Sequence, residues 1–282
     1  MDPLTKTFAI IFLITTMVAI GLKVTIGEIV TALGNRSLMI RSLVVNLVVV
    51  PVIGLLLVKI VPMGQDAAVG ILLLAAAPGG LNAIQFTSKS KDALCYAASL
   101  LFILTLLSVL LSPLIAGLML PIDSPLTLPY AKAIRFLFLY LLLPLVAGLA
   151  VHRVSKRVAN LLSKPMALCG TVFFVVVVIR LLAQRKQAIA ALGKTELAVL
   201  VGFILGTMIL GWLFGGPSNQ NRRILATTTS MRNAALCLLI AMNSFPGTDV
   251  IVTVVAFSAL MIPPNMLLTV YEAIKERKSS GK

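Results

Sequence analysis

Charged residues, histidine and cysteine are scarce in this chain. Only 12% of its 282 residues are charged, nine are acidic, one is histidine and three are cysteine. No Ser/His/Asp set, metal-ligand spacing or pair of deeply placed carboxylates is present, so neither an enzyme nor a cofactor is predicted. Cys95, Cys169 and Cys237 form no disulfide framework and are interpreted as small apolar residues. A Gly-Lys-Ser/Thr phosphate loop is also lacking, which disfavours a nucleotide-driven pump.

Apolar residues dominate what is present. They make up 59% of the chain and form long stretches almost free of charge, which is typical of an integral membrane protein. The stretches lack the alternation of barrel strands, so the fold class is predicted to be all-α and polytopic. The net charge of +15 comes from Lys and Arg placed between the stretches. Membrane topology explains them better than nucleic acid, and the lipid bilayer is the expected partner.

Nine transmembrane helices are predicted. The approximate spans are 8–28, 38–60, 66–88, 92–120, 131–152, 163–185, 194–216, 222–244 and 249–273, and residues 278–282 form a basic tail. Most of the Lys and Arg fall on one side of these spans, which places the N-terminus outside and the C-terminus in the cytoplasm of a plasma or inner membrane. Two glycine pairs are spaced for close helix packing, Gly202 with Gly206 and Gly211 with Gly215.

The chain also contains a repeat. Asn82 precedes Pro113 by the same number of residues as Asn233 precedes Pro264, so the first four helices match the last four and the fifth connects them. Because an odd number of spans separates the two halves, the second half is inverted. Inverted repeats are typical of transporters that work by alternating access.

Both matched regions interrupt a helix near the middle of the membrane. Pro78-Gly79-Gly80-Leu81-Asn82 breaks the third span and Ser230-Met231-Arg232-Asn233 breaks the eighth. Proline removes a backbone donor and glycine tolerates unwound dihedral angles, which frees polar groups that lipid cannot satisfy. Paired breaks of this kind predict a substrate site where the two helices cross.

Arg232 is the residue whose burial within the membrane costs the most free energy. A guanidinium at this depth must face the protein interior and find acceptors. Glu28, Asp66, Asp92, Glu196, Asp249 and Glu272 all lie near helix ends. The candidate partners are carbonyls of the breaks, the amides of Asn46 and Asn82, the hydroxyls of Thr227, Thr228, Thr229 and Ser230, or an anionic substrate. A structural role and substrate contact both remain open.

Three motifs resemble the bile acid:sodium symporter family in its nine-helix form. They are Ala77-Pro78-Gly79-Gly80, Met231-Arg232-Asn233 and the Gly21-Leu22-Lys23 turn. The resemblance runs nearly end to end. It implies a panel of about 1–36 and 121–192 that moves against a core of about 37–120 and 193–277, with the third and eighth helices crossing in the core.

The sodium ligands of that family are largely replaced here. Carried over by position, they become Ala83 and Ile84 after the first break, Ala97 and Leu101 on the next helix, and Thr228, Arg232 and Asn46 around the second break. Asn233 alone clearly matches. Sodium needs several converging oxygens, and a fixed cation opposes it, so no metal site is predicted.

The leading prediction is therefore a carrier of a small organic anion, either a carboxylate or a sterol-like acid, that works by alternating access without sodium coupling. One alternative is sodium symport through displaced ligands such as Asn82, Gln85, Thr87 and Ser88. Another is a sensor or assembly protein on a carrier fold, which binds ligand without transporting it. The sequence leaves substrate, coupling ion, direction and oligomeric state open.

Overall fold

The computed structural model describes residues 2–80, 83–87, 91–119, 130–184 and 192–280, which are helical in most of their length. The helices in chain order are α1 (Pro3–Gly21), α2 (Ile26–Gly34), α3 (Arg36–Val44), α4 (Val50–Ile60), α5 (Gln65–Ala76), α6 (Ala83–Phe86), α7 (Lys91–Met119), α8 (Tyr130–Leu137), α9 (Leu143–Val154), α10 (Lys156–Gln184), α11 (Lys194–Phe214), α12 (Asn219–Ser230), α13 (Ala234–Ser244), α14 (Val250–Leu260) and α15 (Ile262–Ser280).

Eight helical stretches within these residues are long and apolar enough to cross a membrane. The predicted third span is different, because α5 has only 12 residues and is followed by a break and the short helix α6. The expected all-α polytopic architecture is confirmed, whereas the number of nine spans stays a prediction.

Two π-helical turns mark the second and fifth spans. Val45–Val49 joins α3 to α4, and Phe138–Leu142 joins α8 to α9. Each π-helical turn is followed directly by an α-helix whose second residue is proline. These prolines are Pro51 in α4 and Pro144 in α9. Proline cannot donate a backbone hydrogen bond, so a carbonyl one turn earlier loses a partner and the helix widens locally.

Helix α1 packs along α9 and α10. Gly21 and Gly148 allow the closest approach, because a Cβ on Gly21 would lie 2.9 Å from the Cα of Gly148. The Phe12 and Phe174 rings lie 5.1 Å apart between α1 and α10. At the N-terminal end of α1, the Arg180 guanidinium donates to the Asp2 carboxylate at 2.6 Å. These contacts join three helices of the predicted panel, while the division into panel and core remains a prediction.

The most buried stretch is Asn219–Ser244, which comprises α12, its break and α13. Helices α5 and α14 pack beside it, and α11 packs along α12. Gly211 and Gly215 confirm the prediction of close packing, because a Cβ on either would overlap the backbone of α12. The same prediction is wrong for Gly202 and Gly206, since nothing lies within 4 Å of a Cβ at either position.

The first predicted span is also too long. Helix α1 ends at Gly21, and a separate helix begins at Ile26 because Thr25 and Glu28 form a capping box. The Thr25 hydroxyl accepts from the Glu28 amide at 3.1 Å, and Glu28 Oε2 accepts from the Thr25 amide at 2.8 Å. The Cys95 thiol of α7 donates to Glu28 Oε1 at 3.3 Å, so this turn connects α1, α2 and α7.

Glu28 is expected to make the stability of this junction depend on pH. Burial raises the pKa of the Glu28 carboxyl, but hydrogen bonds from Thr25 and Cys95 and the charge of His152 lower it further, to below its ordinary 4.5. A lowered folded-state pKa contributes stability that is complete above the unfolded value and is lost as the pH falls through the folded one. The melting temperature of the parent should therefore fall more steeply below about pH 4.5 than that of Glu28→Gln.

Glu196→Gln is the matched control, since Glu196 lies in the first turn of α11, away from this junction. Thermal unfolding in detergent across an acid titration measures the three slopes. Equal slopes for the parent and Glu28→Gln would contradict the assignment to Glu28.

Candidate functional site

The two helix breaks meet in the interior of the protein. Helix α5 ends at Ala76 and α12 ends at Ser230, and the extended residues after each lie side by side. The Gly80 amide donates to the Met231 carbonyl at 2.9 Å, and the Asn233 amide donates to the Ala77 carbonyl at the same distance. The two breaks therefore satisfy part of each other's freed backbone, as irregular structure within a membrane requires.

Glycine is required on the first break for two separate reasons. Gly79 has φ of +91°, which side-chain-bearing residues rarely adopt. Gly80 lies directly on the other break, because a Cβ there would overlap the Met231 carbonyl and would lie 2.6 Å from the Arg232 oxygen. Pro78 precedes both and ends α5, because it has no amide and restricts the residue before it.

Arg232 is completely buried, and its guanidinium is surrounded by oxygen acceptors. Nε donates to the Leu74 carbonyl at 2.8 Å and Nη2 to the Ala75 carbonyl at 2.6 Å. Nη1 donates to Asn46 Oδ1 at 2.8 Å, and Nη2 also reaches the Asn46 carbonyl at 3.4 Å. No acidic side chain of the described residues pairs with it. The charge is balanced by dipoles, including those at the negative C-terminal end of α5.

Two prolines explain why the Leu74 and Asn46 carbonyls lack their usual helical donors. In an uninterrupted helix the Leu74 carbonyl would accept from residue 78, which is proline and has no amide, and only the Ala77 amide reaches it from its own chain segment, at 3.3 Å. The Asn46 carbonyl lies in the first π-turn, where the Val50 amide donates to Val45 instead and the next residue is Pro51. Arg232 therefore donates to carbonyls that Pro78 and Pro51 leave without their usual helical partners.

The polar residues around Arg232 make two groups of hydrogen bonds. Asn46 Nδ2 donates to Ser42 O at 3.0 Å and to Thr229 Oγ1 at 3.2 Å, which orients its oxygen towards the guanidinium. The Ser230 hydroxyl lies 3.0 Å from Asn265 Oδ1 of α15. The Thr228 hydroxyl is directed instead to the Ile224 carbonyl of its own helix, at 2.8 Å. Of the predicted site residues, Asn46 and Thr229 are thus joined to Arg232, whereas Thr228 faces its own backbone.

Asn233 begins α13 and leaves a donor free. Its Oδ1 accepts from the Leu236 amide at 3.1 Å and caps the helix. Its Nδ2 has no hydrogen-bond partner, although the residue is only 1% exposed. Among the described residues, the Ala235 amide in the first turn of α13 has no acceptor either. Two unsatisfied donors therefore lie together at the positive end of a helix.

A cavity of about 330 Å³ opens beside these donors. Its wall on one side is the start of α13, and its opposite wall is built by α1 and α10. Phe12, Thr16, Ile20 and Lys23 face it from α1 and the turn that follows, and Ala167, Thr171 and Phe174 face it from α10. None of the described residues that line it is acidic.

Several of these residues were missed from the sequence. Phe12, Thr16, Ile20 and Lys23 recur at helical spacing, but apolar residues at such spacing are equally typical of ordinary packing. Asn265 was also missed, although a buried amide next to Pro264 in an apolar span could have indicated it. The predicted Asn82 lies outside the described residues.

Four of the positions that the resemblance matches to sodium ligands are occupied by hydrocarbon side chains. Ala83, Ala97 and Leu101 are fully buried, and Ile84 lines the cavity. None of their side chains carries an oxygen. Among the described residues, no three His, Cys, Asp or Glu side chains come together as a metal site.

Known proteins match this chain over most of its length. YocS of Bacillus subtilis (strain 168), named an uncharacterized sodium-dependent transporter, is 20% identical over 98% of this chain and 86% of its own length. BASS3 and BASS1 of Arabidopsis thaliana, named probable sodium/metabolite cotransporters of the chloroplast, are 23% and 21% identical over 83% and 86% of this chain. The chain spans only 55% and 60% of these two plant proteins.

A family model matches residues 10–192, which is more than half of the chain. The matched part contains α1, the first break, and the α9 and α10 helices that pack on α1. The second break and Arg232 lie beyond it. Together with the membrane-spanning helices, this match identifies a transporter rather than an enzyme, and the chain belongs to the sodium bile acid symporter family.

Proposed function

We propose that the protein carries a small organic anion by alternating access and does not couple transport to sodium. The observation that carries the proposal is the environment of Arg232, whose guanidinium donates to three backbone carbonyls and one side-chain oxygen at the crossing. Converging oxygens of this kind are what a bound cation requires. Arg232 supplies the cation permanently.

Charge repulsion argues against sodium at the same place. Two like charges about 4 Å apart repel by about 4 kcal/mol at an effective dielectric constant of about 20. Sodium would also have to compete for carbonyls that already accept from the guanidinium. At the other sodium position of the family, the four matched side chains are hydrocarbon, namely those of Ala83, Ile84, Ala97 and Leu101.

An anion, in contrast, suits the cavity. The free Nδ2 of Asn233 and the Ala235 amide are donors at the positive end of α13. Oxygens of a carboxylate accept strongly from such donors. The remaining walls are largely apolar, as expected for an organic rather than an inorganic ion.

The position of this cavity supports alternating access. The cavity has α1 and α10 on one side and the crossing of the two breaks on the other. Movement of this helix pair relative to the crossing would expose the cavity to opposite faces of the membrane in turn. We propose that the panel and core move in this way, with the N-terminus outside.

Sodium symport is the second candidate, because the printed names of the relatives describe sodium-dependent or sodium/metabolite transport. Thr87 is one of the displaced ligands suggested for sodium, and its side chain is described in the structure. Its hydroxyl donates to the Ile84 carbonyl at 2.8 Å. That hydrogen bond leaves the oxygen lone pairs of Thr87 available.

Uptake into proteoliposomes tests the two candidates. Labelled pyruvate, hexanoate and cholate are supplied in sodium chloride and in choline chloride, with protein-free vesicles subtracted. We expect uptake of an anion at equal rates in both salts. Uptake that requires sodium would overturn the proposal, and binding without flux would indicate a sensor.

A further inference from the structure

Lys23 brings a charge to the cavity that no described residue neutralises. It lines the cavity from the turn after α1, and its side chain is exposed. Among the described residues, its ammonium group makes no hydrogen bond or ion pair, and only its backbone amide has a partner, Ile20 O at 2.9 Å. Arg232 also lines the cavity, but its guanidinium is directed to the oxygens of the crossing.

The residues that lead from Lys23 into the cavity lie along one face of α1. Along α1, Ile20, Thr16 and Phe12 follow at intervals of three or four residues, so they share one face of the helix. From Phe12 to Ile20 this face extends about 12 Å at about 1.5 Å per residue. The Phe12 and Phe174 rings stand together at the end away from Lys23. This wall is thus apolar at one end and cationic at the other.

The size of the cavity limits what it can hold. Its volume of about 330 Å³ lies at the lower end of the range of about 300–1,000 Å³ for small-molecule sites. A short apolar body fits such a space better than the fused rings of a sterol acid.

We propose that Lys23 is a specificity-determining residue that recognises the negative charge of the substrate, and that the substrate is a small carboxylate with a short apolar body. This inference rests on the proposed anion transport. The apolar body lies along Ile20, Thr16 and Phe12, and the ammonium group of Lys23 attracts the charge at the cationic end. A neutral molecule of the same shape gains nothing from Lys23.

Binding of hexanoate and of its neutral counterpart hexanamide tests the proposal, with thermal unfolding of the purified protein as the readout. We expect hexanoate, but not hexanamide or cholate, to stabilise the parent. Lys23→Gln should raise the half-saturating concentration of hexanoate about tenfold, whereas Lys23→Arg should retain most of the binding. Because Lys23 has no side-chain partner among the described residues, neither variant should change the melting temperature without ligand.

Lys156→Gln is the matched control, since Lys156 is an exposed lysine at the start of α10 that does not line the cavity. It should bind hexanoate as the parent does. Equal hexanoate binding by Lys23→Gln would overturn the role of Lys23. Stabilisation by cholate alone, or by none of the three probes, would overturn the substrate class. The sodium and choline comparison tests the proposed function separately from these results.

Discussion

Arg232→Gln is expected to lower the free energy of unfolding by about 3 kcal/mol or more, because an unsatisfied buried acceptor costs about 1–3 kcal/mol. The shorter amide cannot donate to Leu74, Ala75 and Asn46 together, as the guanidinium does. With an unfolding entropy of about 2.1 cal/mol/K per residue, a loss of this size corresponds to a melting temperature roughly 5 °C lower. Thermal unfolding of both proteins in detergent measures the difference.

Sodium should then restore part of the lost stability in the variant and none in the parent. Removing the guanidinium removes the like charge and leaves carbonyl oxygens facing one another, which is an environment for a cation. Choline chloride at equal concentration controls for ionic strength, because choline is too large to enter the same place. An Arg232→Gln protein as stable as the parent would show that the carbonyls have other donors.

Two further variants separate charge from geometry. Arg232→Lys keeps the charge but replaces a planar fork of five donors with one ammonium group, so an intermediate melting temperature is expected. Arg153→Gln removes an exposed arginine from the last turn of α9 and should leave stability almost unchanged. A large effect of Arg153→Gln would indicate a general response to lost positive charge.

Gly80→Ala is expected to prevent the two breaks from meeting. The added Cβ would overlap the Met231 carbonyl and crowd the Arg232 oxygen, and both belong to backbone that cannot rotate away as a side chain can. The hydrogen bond from Gly80 to Met231 would be lost with the displacement. We expect a destabilisation of at least about 3 kcal/mol, at the upper end of the cost of overpacking, measured as the yield of monodisperse protein and its melting temperature.

Gly202→Ala provides the matched control. Gly202 lies inside α11, and a Cβ there meets nothing within 4 Å. Alanine is also the better helix former by roughly 1 kcal/mol, so this variant should be as stable as the parent or slightly more stable. Similar losses in Gly80→Ala and Gly202→Ala would contradict the steric argument at the crossing.

The first break could be found from the sequence because its cause is local, whereas the second contains no proline or glycine and was found by its match in the repeat. Pro78 lacks an amide and Gly79 permits a positive φ, whatever surrounds them. The capping box of α2 is equally local, yet the apolar run across Ile26 hid it, and the first span was drawn too long. Gly202 and Gly206 show the opposite error, because their spacing alone does not say whether another helix lies beside them.

The sequence could limit the candidate hydrogen-bond partners of Arg232 but could not identify the actual ones. Burial cost and the lack of nearby acids reduced them to backbone carbonyls, amides, hydroxyls or substrate. Selecting Leu74, Ala75 and Asn46 required the distances between α5, the first π-turn and the second break. The consequence of Pro51 was invisible because it depends on which helix faces the widened turn.

The sequence by itself determined that this protein is an all-α membrane protein, because hydropathy acts within one segment. It also located the first interruption by proline and glycine chemistry and the second by its match in the repeat. Only the tertiary structure decided that the interruptions bond to each other, that Arg232 reaches carbonyls lacking their usual helical donors, and that Asn233 and Lys23 face one cavity. Those features depend on contacts between helices far apart in the chain. Many apolar sequences are compatible with each such contact, so no local pattern specifies it.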